Sequence, residues 1–175
     1  MLYVIVCLIN GKVKDFHHNI VEDVCQRFKV KRQRLQSHFT LKAPFESKDL
    51  TEIEKVTENF CLTHKASPFT MKGYNHFNNK VIYMDIKPSA DTVKNCEDYK
   101  SLLRLIPGLE WKRKEFEKHK FHCTIVSKLT KETFEDIWTY VNQFPYCFDC
   151  SFDNITIMRL EKSGWVVERS YRLQQ

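Results

Sequence analysis

The chain has 175 residues, 42% hydrophobic and 29% charged, with a formal net charge of +6. That mixture is typical of a globular protein rather than a disordered one, and the length fits one domain of ordinary size or two small lobes sharing a core, with thirteen phenylalanines, seven tyrosines and three tryptophans to fill it. The apolar opening, LYVIVCLI, is too short to cross a bilayer and lacks the basic n-region and cleavage site of a secretory signal.

That opening is expected to be a buried first strand over 2–9. A first helix is predicted over 14–28, where Phe16, Ile20, Val24 and Phe28 recur every four residues. A strand near 37–43 follows, then a helix near 48–64 with Leu50, Ile53, Phe60 and Cys61 on one face. Strands near 68–75 and 80–87 flank the turn-rich NHFNNK, which reads as a hairpin. Ser89 stands where it can cap a third helix, with Val93, Cys96, Leu102, Leu103 and Ile106 inward and Pro107-Gly108 as the stop. A strand near 121–128 leads to a fourth helix, capped by Thr130, with Phe134, Ile137, Trp138 and Val141 at i, i+3, i+4 and i+7. Strands near 145–160 and 165–173 close the chain through the tight turn Lys162-Ser163-Gly164. Hairpins imply antiparallel pairing, so the class is α+β rather than a doubly wound parallel sheet.

Seven cysteines, an odd number mostly inside apolar patterns, read as reduced core residues of an intracellular, cytoplasmic protein. Cys147 and Cys150 form a C-x-x-C, but it lies in a strand-like run without a second pair, and no metal or redox role is assigned to it. His17, His18 and His119 lack carboxylate or thiolate company and are expected on the surface or on a neighbouring strand.

One pattern recurs. Residues 38–41 read HFTL and residues 122–125 read HCTI, 84 positions apart and close to half the chain. Each copy lies on a predicted strand before a helix, and each follows a basic run: Arg27, Lys29, Lys31, Arg32 and Arg34, then Lys112, Arg113, Lys114, Lys118 and Lys120. Alternation along a strand puts His38, Thr40 and Lys42 on one face and Phe39, Leu41 and Ala43 on the other. In the second copy it groups His122, Thr124 and Val126 against Cys123, Ile125 and Ser127. Two imidazoles facing each other suit attack at phosphorus. One takes a proton from water or a ribose hydroxyl, the other gives one to the leaving oxygen, and the threonine hydroxyls bond the non-bridging oxygens. No metal is needed for this chemistry, and the sequence holds no carboxylate-rich cluster for two divalent ions.

These motifs resemble the 2H phosphoesterase superfamily, which contains 2′,5′-RNA-ligase-like proteins and cyclic nucleotide phosphodiesterases. HFTLKAPF is similar to the H-x-T-L-K-x-P-F form of the bacterial 2′,5′-RNA-ligase-like branch, while PFTMKGYNHFNNKVIYMDI and ITIMRLEKSGWVVERSYRL are similar to its central and closing hairpins. The resemblance implies a single bilobal domain over 1–175, with two antiparallel sheets and flanking helices around a central groove, related by a pseudo-two-fold axis. It implies His38 and His122 as general acid and base, and Thr40 and Thr124 as phosphate hydrogen-bonders. Lys42, Phe45 and Lys128 become looser candidates for substrate contact, with Phe45 equally suited to the core. The expected partner is RNA or a nucleotide with a phosphodiester or 2′,3′-cyclic phosphate, handled by a monomer without metal or cofactor and without a membrane. Hydrolysis, 2′,5′ ligation and trimming would all use the same pair. The alternative is an RNA-binding protein that uses a basic groove without turnover, which would need lysine or arginine rather than two imidazoles.

Overall fold

The structure, a computed structural model, describes residues 1–175. β1 (Leu2–Leu8) turns through Gly11, at φ 69°, into α1 (Lys12–Phe28). There follow β2 (His38–Glu46), α2 (Thr51–Thr63), β3 (Ser67–Phe77), β4 (Val81–Pro88) and α3 (Ala90–Arg104). A 3₁₀ turn (Arg113–Phe116) interrupts the long connection to β5 (His122–Ser127). α4 (Lys131–Val141), β6 (Cys147–Phe152), β7 (Asn154–Glu161) and β8 (Gly164–Arg172) complete the chain. The strands form two four-stranded antiparallel sheets, ordered β2-β1-β7-β8 and β5-β4-β3-β6. The α+β class and the two sheets with flanking helices are as expected.

The lobes echo one another. In each, an inner strand leads through a helix to the edge strand beside it, as β1-α1-β2 and as β4-α3-β5. Two helix starts are fixed by local chemistry. Ser89 Oγ accepts the Thr92 N–H at 3.1 Å to cap α3, and Thr130 Oγ1 does the same for Thr133 at the start of α4.

Two expectations about elements are corrected. The apolar run over 145–160 is not one strand: it breaks at Asp153, with β6 pairing β3 in one sheet and β7 pairing β1 in the other. No glycine or proline marks the break, so period and composition do not reveal it. In α3 the inward stripe runs through Cys96, Tyr99, Lys100 and Leu103, while Leu102 is exposed. Residues 96, 99 and 103 share a face at 3.6 residues per turn, and 102 sits about 100° away from 103.

A single hydrophobic cluster runs through both lobes. Phe39 stands at its centre, edge-to-face with Phe69, Phe121 and Phe152 at ring separations of 5.4–5.6 Å. Phe39 belongs to one sheet, Phe69 and Phe152 to the other, so this ring ties the lobes together. All seven cysteines are unpaired thiols; Cys147 is exposed and Cys150 half-buried on β6. Phe39→Ala should cost about 3–5 kcal/mol of stability. In urea unfolding followed by both tryptophan fluorescence and circular dichroism, the two signals should shift together, whereas separate transitions would mean the lobes unfold independently.

Candidate active site

Both H-x-T copies lie on edge strands, β2 and β5, and those two edges meet where the lobes join. The Phe39 and Phe121 rings touch across the join, and the Cys123 thiol lies against the His38 backbone. Along each strand the burial pattern from the histidine onward is the same six-residue sequence: half-buried, buried, half-buried, buried, buried, half-buried.

The two consecutive buried residues come from a β-bulge at the same place in each copy. Thr40 pairs with Val6 and Lys42 with Ile5, so Leu41 is the extra residue. Thr124 pairs with Tyr83 and Val126 with Ile82, so Ile125 is the extra residue. A bulge inserts one residue opposite a regular strand and reverses the side-chain alternation beyond it. Hence the expected row of His38, Thr40 and Lys42 ends at Thr40: Lys42 turns to the core face opposite Ile5 and is 1% exposed. Val126 likewise leaves the His122–Thr124 face and is fully buried.

Both imidazoles are held in the same way. His38 Nδ1 donates to Gln36 O at 2.6 Å, and His122 Nδ1 donates to Lys120 O at 2.7 Å, each carbonyl lying two residues upstream. A donor at Nδ1 leaves Nε2 as the basic nitrogen of the neutral ring. Neither Nε2 bonds to another protein group, and the hydroxyls of Thr40 and Thr124 are also without a protein partner. Burial pushes the His38 pKa down to about 4, against the Gln36 carbonyl, with smaller contributions from the charges of His17 and His122. Burial also lowers His122, opposed by the Lys120 carbonyl and reinforced by the Lys120 charge. Each ring is thus poised in its neutral form near pH 7.

The family model of the 2′-5′ RNA ligase superfamily matches residues 13–164. The chain belongs to this superfamily. No curated protein is similar enough in sequence to match it. Among solved structures of the fold, TT0787 of Thermus thermophilus is 13% identical with a TM-score of 0.65, over 99% of this chain and 98% of that one. E. coli LigT in apo form is 9% identical with a TM-score of 0.64, and complexed with 3′-AMP it is 12% identical with a TM-score of 0.61; both cover 99% of this chain, and 98% and 97% of theirs. Kluyveromyces marxianus Usb1 is 11% identical with a TM-score of 0.53, over 98% of each chain. At such identities the likeness is one of fold, and it bears out the bilobal arrangement within this superfamily.

Of the looser candidates, Lys42 departs from its expected face and Phe45 takes the core position that was its other option. Lys42 donates to both carboxylate oxygens of Glu115 at 3.1 Å and lies over the Trp111 ring at 4.6 Å. Glu115 also accepts the Ala43 and Lys112 N–H groups, so this buried pair fastens the 3₁₀ turn to β2. Phe45 packs in the core beside Tyr3 and is 4% exposed. Lys128 is exposed, in left-handed conformation (φ 60°), at the turn into α4.

His18 is exposed as expected, but His17 and His119 are not. His17 sits in the apolar stripe of α1 with Val13, Ile20, Val21 and Val24, and its Nε2 donates to Thr124 O at 2.8 Å. It thereby braces the second motif from a helix that follows β1. Its position four residues from both Val13 and Val21 is the available signal. His119 Nδ1 meets the buried Lys100 Nζ at 2.8 Å, and its ring stands edge-on to Phe121. Two further residues unassigned from sequence, Phe77 and Tyr83, pack on His122 at ring separations of 4.9 and 5.2 Å. No group of three or more His, Cys, Asp or Glu is arranged to hold a metal ion.

Four histidines therefore lose basicity on folding: burial lowers His17, His38, His119 and His122, with His119 reaching about 3. In the unfolded chain each titrates near ~6.5, so the unfolded state binds more protons as pH falls below that value. Their stability contribution is complete above pH ~6.5 and declines as pH drops towards the folded-state values. The urea midpoint should therefore fall between about pH 6.5 and 4.5, and a His38→Asn, His119→Asn double variant should show a shallower fall. Parallel declines in the two proteins would refute that assignment.

Proposed function

We propose that this chain is a metal-independent phosphodiesterase that opens or hydrolyses 2′,3′-cyclic phosphates, or related phosphodiesters of RNA or nucleotides, between His38 and His122. The observation that carries the reading is the matched pair of Nδ1 anchors, which leaves one unbonded Nε2 and one unbonded threonine hydroxyl per motif. Binding of a polyanion alone would gain little from two imidazoles held neutral by burial. The crystallised complex of E. coli LigT with 3′-AMP is consistent with a nucleotide ligand for this fold.

In the proposed reaction a neutral imidazole takes the proton from attacking water, or from a ribose hydroxyl in the reverse sense, at its Nε2. The opposite imidazole, protonated, delivers its Nε2 proton to the departing oxygen. Thr40 and Thr124 donate their hydroxyl protons to the non-bridging oxygens, where negative charge gathers. The substrate phosphate itself supplies the charge that stabilises an imidazolium in a site that disfavours one when empty. The pair is chemically symmetric, and substrate orientation selects which histidine is the base. 2′,5′ ligation is the same ring opening with a ribose 5′-hydroxyl in place of water: one imidazole takes its proton and the other protonates the departing 3′-oxygen.

A panel of 2′,3′-cyclic nucleotides, RNA ended by a cyclic phosphate and 2′,5′-linked dinucleotides, with products identified by position, tests the assignment. His38→Ala and His122→Ala should each abolish turnover, and Thr40→Val or Thr124→Val should slow it on the order of 10²-fold. Turnover should persist in EDTA; dependence on added Mg²⁺ or Mn²⁺ would refute the metal-free step. Because both imidazoles are lowered, the kcat/KM optimum should lie on the acid side of ~6.5, with kcat shifted upward by the bound phosphate. A flat profile across that range would exclude paired acid–base catalysis.

A further inference from the structure

Beside the two motifs lies a cleft of about 840 Å³, bounded by α1, the segment 29–37 and the β7–β8 hairpin. Residues that brace each motif line it. Gln36, whose carbonyl holds His38, and His17, which holds the Thr124 carbonyl, both line it. Its floor is apolar: Trp165 and Leu35 pack on Val4, Val6, Leu8 and Met158, the face of the first sheet that also carries His38 and Thr40. Its walls are basic. Lys14, Lys31 and Arg34 are exposed and free of ion pairs, while Arg32 is tied to Glu22 at 2.5 Å and to His18 at 3.3 Å. Asp15 is the one carboxylate in the lining.

The segment bearing these cations is held in place. Gln33 Nε2 donates to Ser127 Oγ at 2.9 Å, Leu35 is packed as described, and Ser37 Oγ donates to Ile9 O at 2.6 Å. A cyclic mononucleotide engaging His38 and His122 with its only phosphate would leave the lysines and arginine along the cleft without a counter-charge. A chain with further phosphates running away from the reacting centre would not, and the half-buried Trp165 ring offers a surface on which a base can stack.

We propose that this cleft binds the phosphodiester backbone of single-stranded RNA next to the reacting phosphate, so that the substrate is an oligonucleotide rather than a free cyclic nucleotide. The inference rests on the reading of His38 and His122 as the reacting pair. Its test separates the two. A Lys31→Ala, Arg34→Ala double variant is compared with the parent on a 2′,3′-cyclic mononucleotide and on a hexaribonucleotide ended by a 2′,3′-cyclic phosphate. On the hexamer, kcat/KM should fall on the order of 10-fold or more, and the log–log salt slope should become shallower by about one to one and a half. On the mononucleotide the change should stay within about two-fold. Equal losses on both substrates, or none on either, would overturn the proposal.

The second measurement does not depend on turnover. Anisotropy of a labelled 2′-O-methyl hexaribonucleotide is titrated with His38→Ala protein, with and without the two cleft substitutions. Weaker binding on loss of Lys31 and Arg34 supports the cleft even if neither substrate turns over, in which case only the catalytic reading fails. Unchanged binding overturns the cleft.

Discussion

A β-bulge directly after each H-x-T is the constraint on which the rest of the site depends. Without it, strand alternation would carry residues 38, 40 and 42 along one face, and 122, 124 and 126 along another. With it, each edge strand keeps one imidazole and one hydroxyl on a shared half-buried face and then turns two successive side chains inward. Leu41 and Ile125 are the extra residues, and both are buried. The fourth residue of the repeated motif is thus apolar because it must anchor the bend. In the first copy the next inward residue is Lys42, and its charge is tolerable there only because Glu115 bonds it with both oxygens.

Placing both bulged strands at sheet edges has a second consequence. An edge strand has a free side, and here each free side is closed by the other lobe rather than by solvent, with Phe39 locked among rings from both sheets. The groove inherits the rigidity of the core beneath it. That rigidity is what allows two histidines to be buried enough to lose basicity while keeping Nε2 unbonded. The Nδ1 bonds to carbonyls two residues upstream fix ring orientation at the same time. His17 adds a tie across the lobes, from α1 to the Thr124 carbonyl. Positioning of the second motif therefore draws on an element that follows the first strand of the chain.

Much of this is legible in the residues alone, for identifiable reasons. Helices α1 and α4 carry apolar side chains at helical spacing, and Ser89 and Thr130 mark helix starts by their cap chemistry. The H-x-T pairs stand out because period-two alternation separates polar from apolar side chains over three residues, which is as far as it holds here. Beyond the threonine, alternation misplaces Lys42 and Val126, since a bulge leaves no signature in residue type when Leu or Ile fills it. The break at Asp153 is hidden for a related reason: β7 begins with five buried residues in a row and reads as a continuation of β6. His17 and His119 read as surface residues because a lone histidine carries no sign of its partner, which is a distant backbone carbonyl in one case and a buried lysine in the other.

By itself, then, the sequence determined the local matters: which segments are helix or strand, where helices start, that pairing is antiparallel, and that two histidine–threonine pairs stand in equivalent settings. These follow from side-chain periodicity and from bonds between residues a few positions apart. Only the tertiary structure decided which strands share a sheet, that β2 and β5 are adjoining edges, where alternation reverses, and which basic residues line one cleft. Those depend on contacts between residues far apart in the chain. Burial, and with it the charge state of a histidine or lysine, belongs to that second group, because it is set by what packs over a residue rather than by its neighbours in sequence.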